Sequence, residues 1–176
     1  MTKNSKSIVW GVVIILIVLV GGYFAVMKKP VGTPAPVTST PQTQTYTNDQ
    51  YGFSIDLPAT WKGYTVLVTG WEGRDVSGAD SSGKVTENGP IITLRNPAWT
   101  TANPTEDMPI MVFTSAQWDQ VVNEKIGVSA APIPPSTLGK NSKYVLALPP
   151  RYNFDYKADW QEVDTLVHTL KAFEPK

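Results

Sequence analysis

Phe53-Ser54-Ile55-Asp56-Leu57-Pro58 is the stretch that decides the fold class. Apolar side chains stand at every second position with Ser54 and Asp56 between them, the pattern of a half-buried strand. Pro58 ends it, because proline has no N–H to give a ladder. Working outward, Tyr64 to Trp71 is β-rich around Val66, Leu67 and Val68. Glu72 to Asn88, full of Gly, Ser and Asp, reads as a long hairpin loop. Ile91–Leu94 and Ile110–Thr114 make further strands, separated by an Asn-Pro loop over 96–108 that carries Trp99. Thr114 and Gln117 have capping-box spacing before the apolar set Trp118, Val121, Val122 and Ile126, which predicts an amphipathic helix closed by Gly127. Pro132, Pro134 and Pro135 forbid regular structure in the next loop. Tyr144–Leu148 is a strand stopped by Pro149-Pro150. Trp160, Val163, Leu166, Val167, Leu170 and Phe173 recur at helical spacing, so the chain is expected to end in a second helix. Strands, helix, strand, helix make an α+β domain over 49–176, a mostly antiparallel sheet packed with about two helices.

Upstream the chemistry changes. Ile8 to Met27 is a run of 20 residues without a charge. As a helix it spans about 30 Å, the thickness of a bilayer core. A cleaved signal peptide predicts a shorter apolar core and a small-x-small cleavage site, whereas this run continues through Phe24-Ala25-Val26-Met27 into Lys28-Lys29. The reading is one transmembrane helix, 8–27, whose partner is the lipid bilayer. Residues 1–7 are a cytoplasmic tail and the C-terminal part is extracytoplasmic, since short basic tails stay inside. Residues 28–48, with Pro30, Pro34, Pro36 and Pro41 among threonines, form a tether. Its uncharged part has a reach of about 25 Å as a coil or about 60 Å as polyproline.

The 15 basic and 15 acidic residues cancel. Lys3, Lys6, Lys28 and Lys29 all flank the apolar run, so the remainder is mildly acidic. That argues against nucleic acid, which needs clustered Lys and Arg. With no cysteine and one histidine, thiolate chemistry and multi-His metal sites are excluded.

Tyr51-Gly52-Phe53-Ser54-Ile55-Asp56-Leu57-Pro58-Ala59-Thr60-Trp61 resembles the opening of PsbP-like domains, an aromatic-Gly-Phe strand followed by Pro and Trp. The Val163–Phe173 end is similar to the close of that family. The resemblance implies an α+β domain carried by anchored bacterial envelope proteins, and no activity transfers with it.

A search for chemistry finds no catalytic set. His168 points away from the apolar face centred on Val163 and Val167, and has no second imidazole to join. Asp75, Ser77, Asp80 and Glu87 raise calcium, but an EF-hand needs Gly at the sixth position and Glu at the twelfth. Counted from Asp75 those places hold Asp80 and Thr86, leaving a polar loop tip and no metal. The glycines at 70, 73, 78 and 83 fit no phosphate-binding pattern, and no cofactor is expected. Glu106-Asp107 and Asp155/Asp159 are the carboxylates that an envelope glycan hydrolase would have to use. Tryptophan is the unusual usage. Trp61, Trp118 and Trp160 sit in patterns that predict core or near-core packing. Trp71, at a strand end that could leave it half exposed, and Trp99, in a polar loop where it either makes a contact or folds back as a lid on the core, are the candidate binding residues for an envelope protein or polymer. Whether a concave surface exists near Trp71, Trp99 and the 72–88 loop is the observation that bears most on a contact role.

Overall fold

The structure is a computed structural model that describes residues 43–78, 83–130, 133–153, 155 and 157–176. The tail, the apolar run 8–27, the tether up to residue 42 and Asp80 lie outside the described residues. Among those described, no helix is long and apolar enough to cross a membrane.

The alternation at Phe53–Leu57 does form a strand, β2, and all three apolar residues are fully buried. It pairs antiparallel with β1, Gln44–Asn48, which places Tyr46 opposite Ile55. The domain therefore begins before the expected boundary at Asp49. On its other side β2 pairs with β9, Lys171–Ala172, giving a three-stranded sheet. The chain expected to end in a helix ends on this strand instead. The turn between β1 and β2 needs Gly52, at φ +67°, because a Cβ there would sit 2.2 Å from the Phe173 carbonyl oxygen. Phe173 N donates to Gly52 O at 2.8 Å, and Lys176 N to Asp49 O at 3.0 Å, so the C-terminus is tied to this turn.

A second, six-stranded sheet has the order β6 (Ile126–Gly127), β3 (Thr65–Asp75), β4 (Val85–Arg95), β5 (Asp107–Thr114), β8 (Tyr144–Leu148), β7 (Ser136–Lys140). Every neighbouring pair is antiparallel. β5 explains the layering: Met108, Ile110 and Val112 face one way, Met111 and Phe113 the other, and all are buried. A strand buried on both faces needs cover on both. On the first face, Ile92, Leu94, Leu146 and Leu148 pack with Phe53, Ile55, Leu57, Trp61 and with Val163 and Val167 of helix α2, Trp160–Val167. On the second, Trp71, Phe113, Val145 and Ala147 pack with Val121 of helix α1, Ser115–Val122, and with Ile126.

The capping box is present as expected: Thr114 Oγ1 accepts from Gln117 N while Gln117 Oε1 accepts from Thr114 N. Three expectations are corrected. The 72–88 segment is no long loop, because β3 and β4 run on into a ladder that pairs Gly73 with Glu87 and Arg74 with Val85. α1 stops at Val122 and Ile126 joins a strand, after Glu124 turns through φ +53°. Prolines 134 and 135 are followed at once by β7.

Candidate functional site

Trp71 sits on β3 opposite Gly89, and the absence of a side chain at Gly89 makes its pocket. A Cβ on Gly89 would lie 2.6 Å from three atoms of the indole. The ring stacks on Phe113 with centroids 4.4 Å apart, and Nε1 donates to the Val112 carbonyl at 3.0 Å. Only 3% of the residue is exposed, which corrects the half-exposed expectation. A cleft of about 670 Å³ opens above it, with Ile91, Met111, Val128, Pro149 and Pro150 in its walls. Trp71 gives this cleft a floor and offers no free face to a partner.

Trp99 is different. It is partly exposed on the loop between β4 and β5. Its ring lies over the Arg95 guanidinium, 4.1 Å from the centroid. Arg95 ends β4 directly opposite Asp107 at the start of β5. The pair is bidentate, with Nε to Oδ1 at 2.8 Å and the terminal nitrogen to Oδ2 at 2.5 Å. A planar guanidinium gripped through two bonds has its plane fixed, and the indole above it inherits that orientation. The loop is ordered from within. Asn96 Oδ1 accepts from Ala98 N at 2.8 Å, and Asn96 O from Trp99 N at 3.0 Å. Thr100 and Asn103 close a second turn through mutual backbone bonds. Trp99 is thus an aromatic surface held in place before any partner arrives.

The two tryptophans do not meet. Arg95 pairs with Thr65, six positions along β3 from Trp71, which separates them by about 20 Å. The cleft beside Trp71 is shared with Glu72, Arg74, Val76 and Gly83 of the 72–88 segment, and Trp99 is not among its lining residues.

Behind the Trp99 loop lie two carboxylates. Glu106 is buried; Asp159 Oδ1 accepts from its backbone N at 2.9 Å. Burial holds the Glu106 carboxyl above the ordinary carboxylate range. A hydrogen bond from the Lys157 backbone opposes this and the Asp159 charge adds to it. Glu106 Oε2, Asp159 Oδ2 and Thr105 Oγ1 have no hydrogen-bond partner. Neither Glu106 nor Asp159 lines the 670 Å³ cleft or the recess of about 460 Å³ beside it. Nearby, Tyr152 donates to Asp164 at 3.0 Å, and burial pushes its phenol well above its usual value.

The other expected groups are structural. Asp75 accepts from Ser77 N and Oγ, an Asx turn. Glu87 accepts from Gln117 and Gln120 and so ties the β4 end to α1. No cluster of metal-ligating side chains occurs among the described residues. His168 caps α2 in solvent with Nδ1 2.6 Å from the Asp164 carbonyl oxygen. Trp61 is fully buried and Trp118 packs, partly buried, against the core of the second face, both as expected; Trp160 is partly buried at the start of α2. Sequence reasoning missed Arg95 and its pairing with Asp107, which it named only as a possible hydrolase carboxylate. Their signal was opposite charges at the two strand ends flanking the Trp99 loop. Comparison with protein families, curated proteins and solved structures finds no match to this chain.

Proposed function

We propose that this chain is a non-enzymatic binding module of the cell envelope, a PsbP-like α+β domain held to the membrane by residues 8–27 and spaced from it by the part of the tether that precedes β1. In this reading residues 1–7 are cytoplasmic and the domain faces outward. The partner is an envelope protein or polymer that lays an apolar or sugar-ring face on Trp99. The observation that carries the reading is the stack of Trp99 on Arg95 on Asp107. A partly exposed tryptophan fixed by a locked guanidinium presents contact area at little entropic cost, the property of interface anchors. Photo-crosslinking on intact cells, with the full chain and its Trp99→Ala variant, tests it. A crosslinked product lost in the variant, while its stability falls by no more than about 1 kcal/mol, supports the reading. Identical products from both chains remove Trp99 as the contact.

A second reading, an envelope glycan hydrolase, is favoured by Glu106: a buried carboxyl with raised pKa and one unpaired oxygen has the attributes of a general acid. Purified cell-wall glycan incubated with the full chain tests it. Reducing ends released by the native chain and not by Glu106→Gln support it, and none from the native chain excludes it.

A further inference from the structure

The outer edge of β3 is bare. β6 pairs with β3 only at Arg74 and Asp75, so among the described residues no strand covers Thr65–Gly73 on that side. Val66 and Val68 are 42% and 67% exposed. An open edge carries unpaired N–H and C=O groups, and proteins blunt such edges with lysine, proline or bulges. The opposite edge of the same sheet is managed in this way. β7 carries Lys140 and a register shift between Thr137 and Gly139. Over Thr65–Trp71 there is no charge, no proline and no bulge; the irregularity in β3 comes later, at Gly73/Arg74.

The edge is also self-complementary. Thr65-Val66-Leu67-Val68-Thr69 reads the same in both directions about Leu67. Two copies paired antiparallel about Leu67 set Thr65 against Thr69, Val66 against Val68 and Leu67 against itself. Like β-branched side chains then meet on each face, the arrangement that favours cross-strand pairing. A slip by one or two residues loses the palindrome. We propose that β3 is a homodimer edge, at which two copies of this chain join antiparallel about Leu67 into one continuous sheet of twelve strands.

The chain contains no cysteine, so a single introduced thiol reports the register. Directly opposed residues in an antiparallel pair have Cα atoms about 4.5–5.5 Å apart, within the range a disulfide spans. In the full chain, in detergent micelles under mild oxidation, Leu67→Cys should form a disulfide dimer. Thr65→Cys and Thr69→Cys should each do so at least tenfold less, since each then lies about 13 Å from its own copy. Mixing the Thr65→Cys and Thr69→Cys chains should restore the crosslink. In parallel, the native chain should show a mass that rises with concentration in sedimentation, a readout that needs no variant to fold. Equal crosslinking at all three positions, or none at Leu67→Cys in a variant whose melt matches the native chain, overturns the proposal. So does a native chain that stays monomeric at every concentration, which would leave the edge to a strand from a different protein.

Discussion

Trp71 and Gly89 should be coupled more strongly than any other neighbouring pair on the second face of the sheet. The perturbation is a double-mutant cycle of Trp71→Leu and Gly89→Ala. Gly89 has no left-handed backbone requirement, so alanine there meets one obstacle, the indole 2.6 Å away. Displacing a packed ring costs about 1–3 kcal/mol as overpacking. Losing the Nε1 bond to the Val112 carbonyl adds about 1 kcal/mol. The single variant Gly89→Ala should therefore lose about 2–4 kcal/mol. Trp71→Leu removes the three ring atoms that a Cβ at position 89 would meet, and should lose about 2–4 kcal/mol through its cavity and the unpaired carbonyl. In that background Gly89→Ala becomes neutral or gains about 0.5–1 kcal/mol, the usual advantage of alanine over glycine within a strand. Urea unfolding followed by circular dichroism gives all four free energies, and unchanged slopes show that the denatured state is not at issue. The coupling should reach about 2–4 kcal/mol. Effects that simply add to within about 0.5 kcal/mol would mean the glycine is not there to admit the indole.

Trp99→Ala should cost only about 1 kcal/mol in a thermal or urea melt, since an exposed cation–π contact is worth about 0.5–1 kcal/mol; a loss of about 3 kcal/mol or more would make Trp99 a lid on the core. Glu106→Gln tests the pH dependence. A raised carboxyl pKa means the unfolded chain ionises first, so the penalty for burying Glu106 is absent below its unfolded pKa and complete above its folded one. The melting temperature of Glu106→Gln relative to the native chain should accordingly rise as the pH is raised through and above the ordinary glutamate range, and a pH-independent difference would refute this. A domain fragment beginning at Thr43 should be clearly more stable than one beginning at Asp49, because the shorter one loses β1 and the 9%-exposed Tyr46. Equal unfolding midpoints would show that β1 is dispensable.

The antiparallel α+β architecture was legible wherever side chains carried a period. Phe53, Ile55 and Leu57 gave β2, Thr114 with Gln117 gave the start of α1, and Val163 with Val167 gave the buried face of α2. The misses share a cause. β6 and β9 are two residues each, too short to show alternation, and exist because longer strands offer them an edge. The β3–β4 arm runs through Gly70, Gly73, Gly89 and Pro90, residues of low strand propensity, because Trp71 needs empty space opposite and Pro90 pairs with Gly70. Trp99 was legible as a loop aromatic from its polar surroundings. Its fixing by Arg95 was not, since the contact depends on a strand pairing twelve positions apart. Trp160 misled for the opposite reason, since it has the period of the helix but sits at its first residue, where the core has already ended.

The tie between β9 and the first hairpin sets a timetable for synthesis. Asp56 and its partner Lys171 are 115 residues apart. At about 5–20 residues per second the ribosome needs roughly 6–20 s to travel that distance. Throughout that interval β2 has β1 but not β9, and Gly52 waits for the Phe173 amide that will close its turn. Contacts between distant parts of the chain form slowly in any case, because the loop between them must first be closed. The β1–β2 hairpin, the first of the described strands to leave the ribosome, is thus among the last parts to be completed. A chain cut just before Lys171 would lose a short polar tail and, with it, the closure of the strands made first.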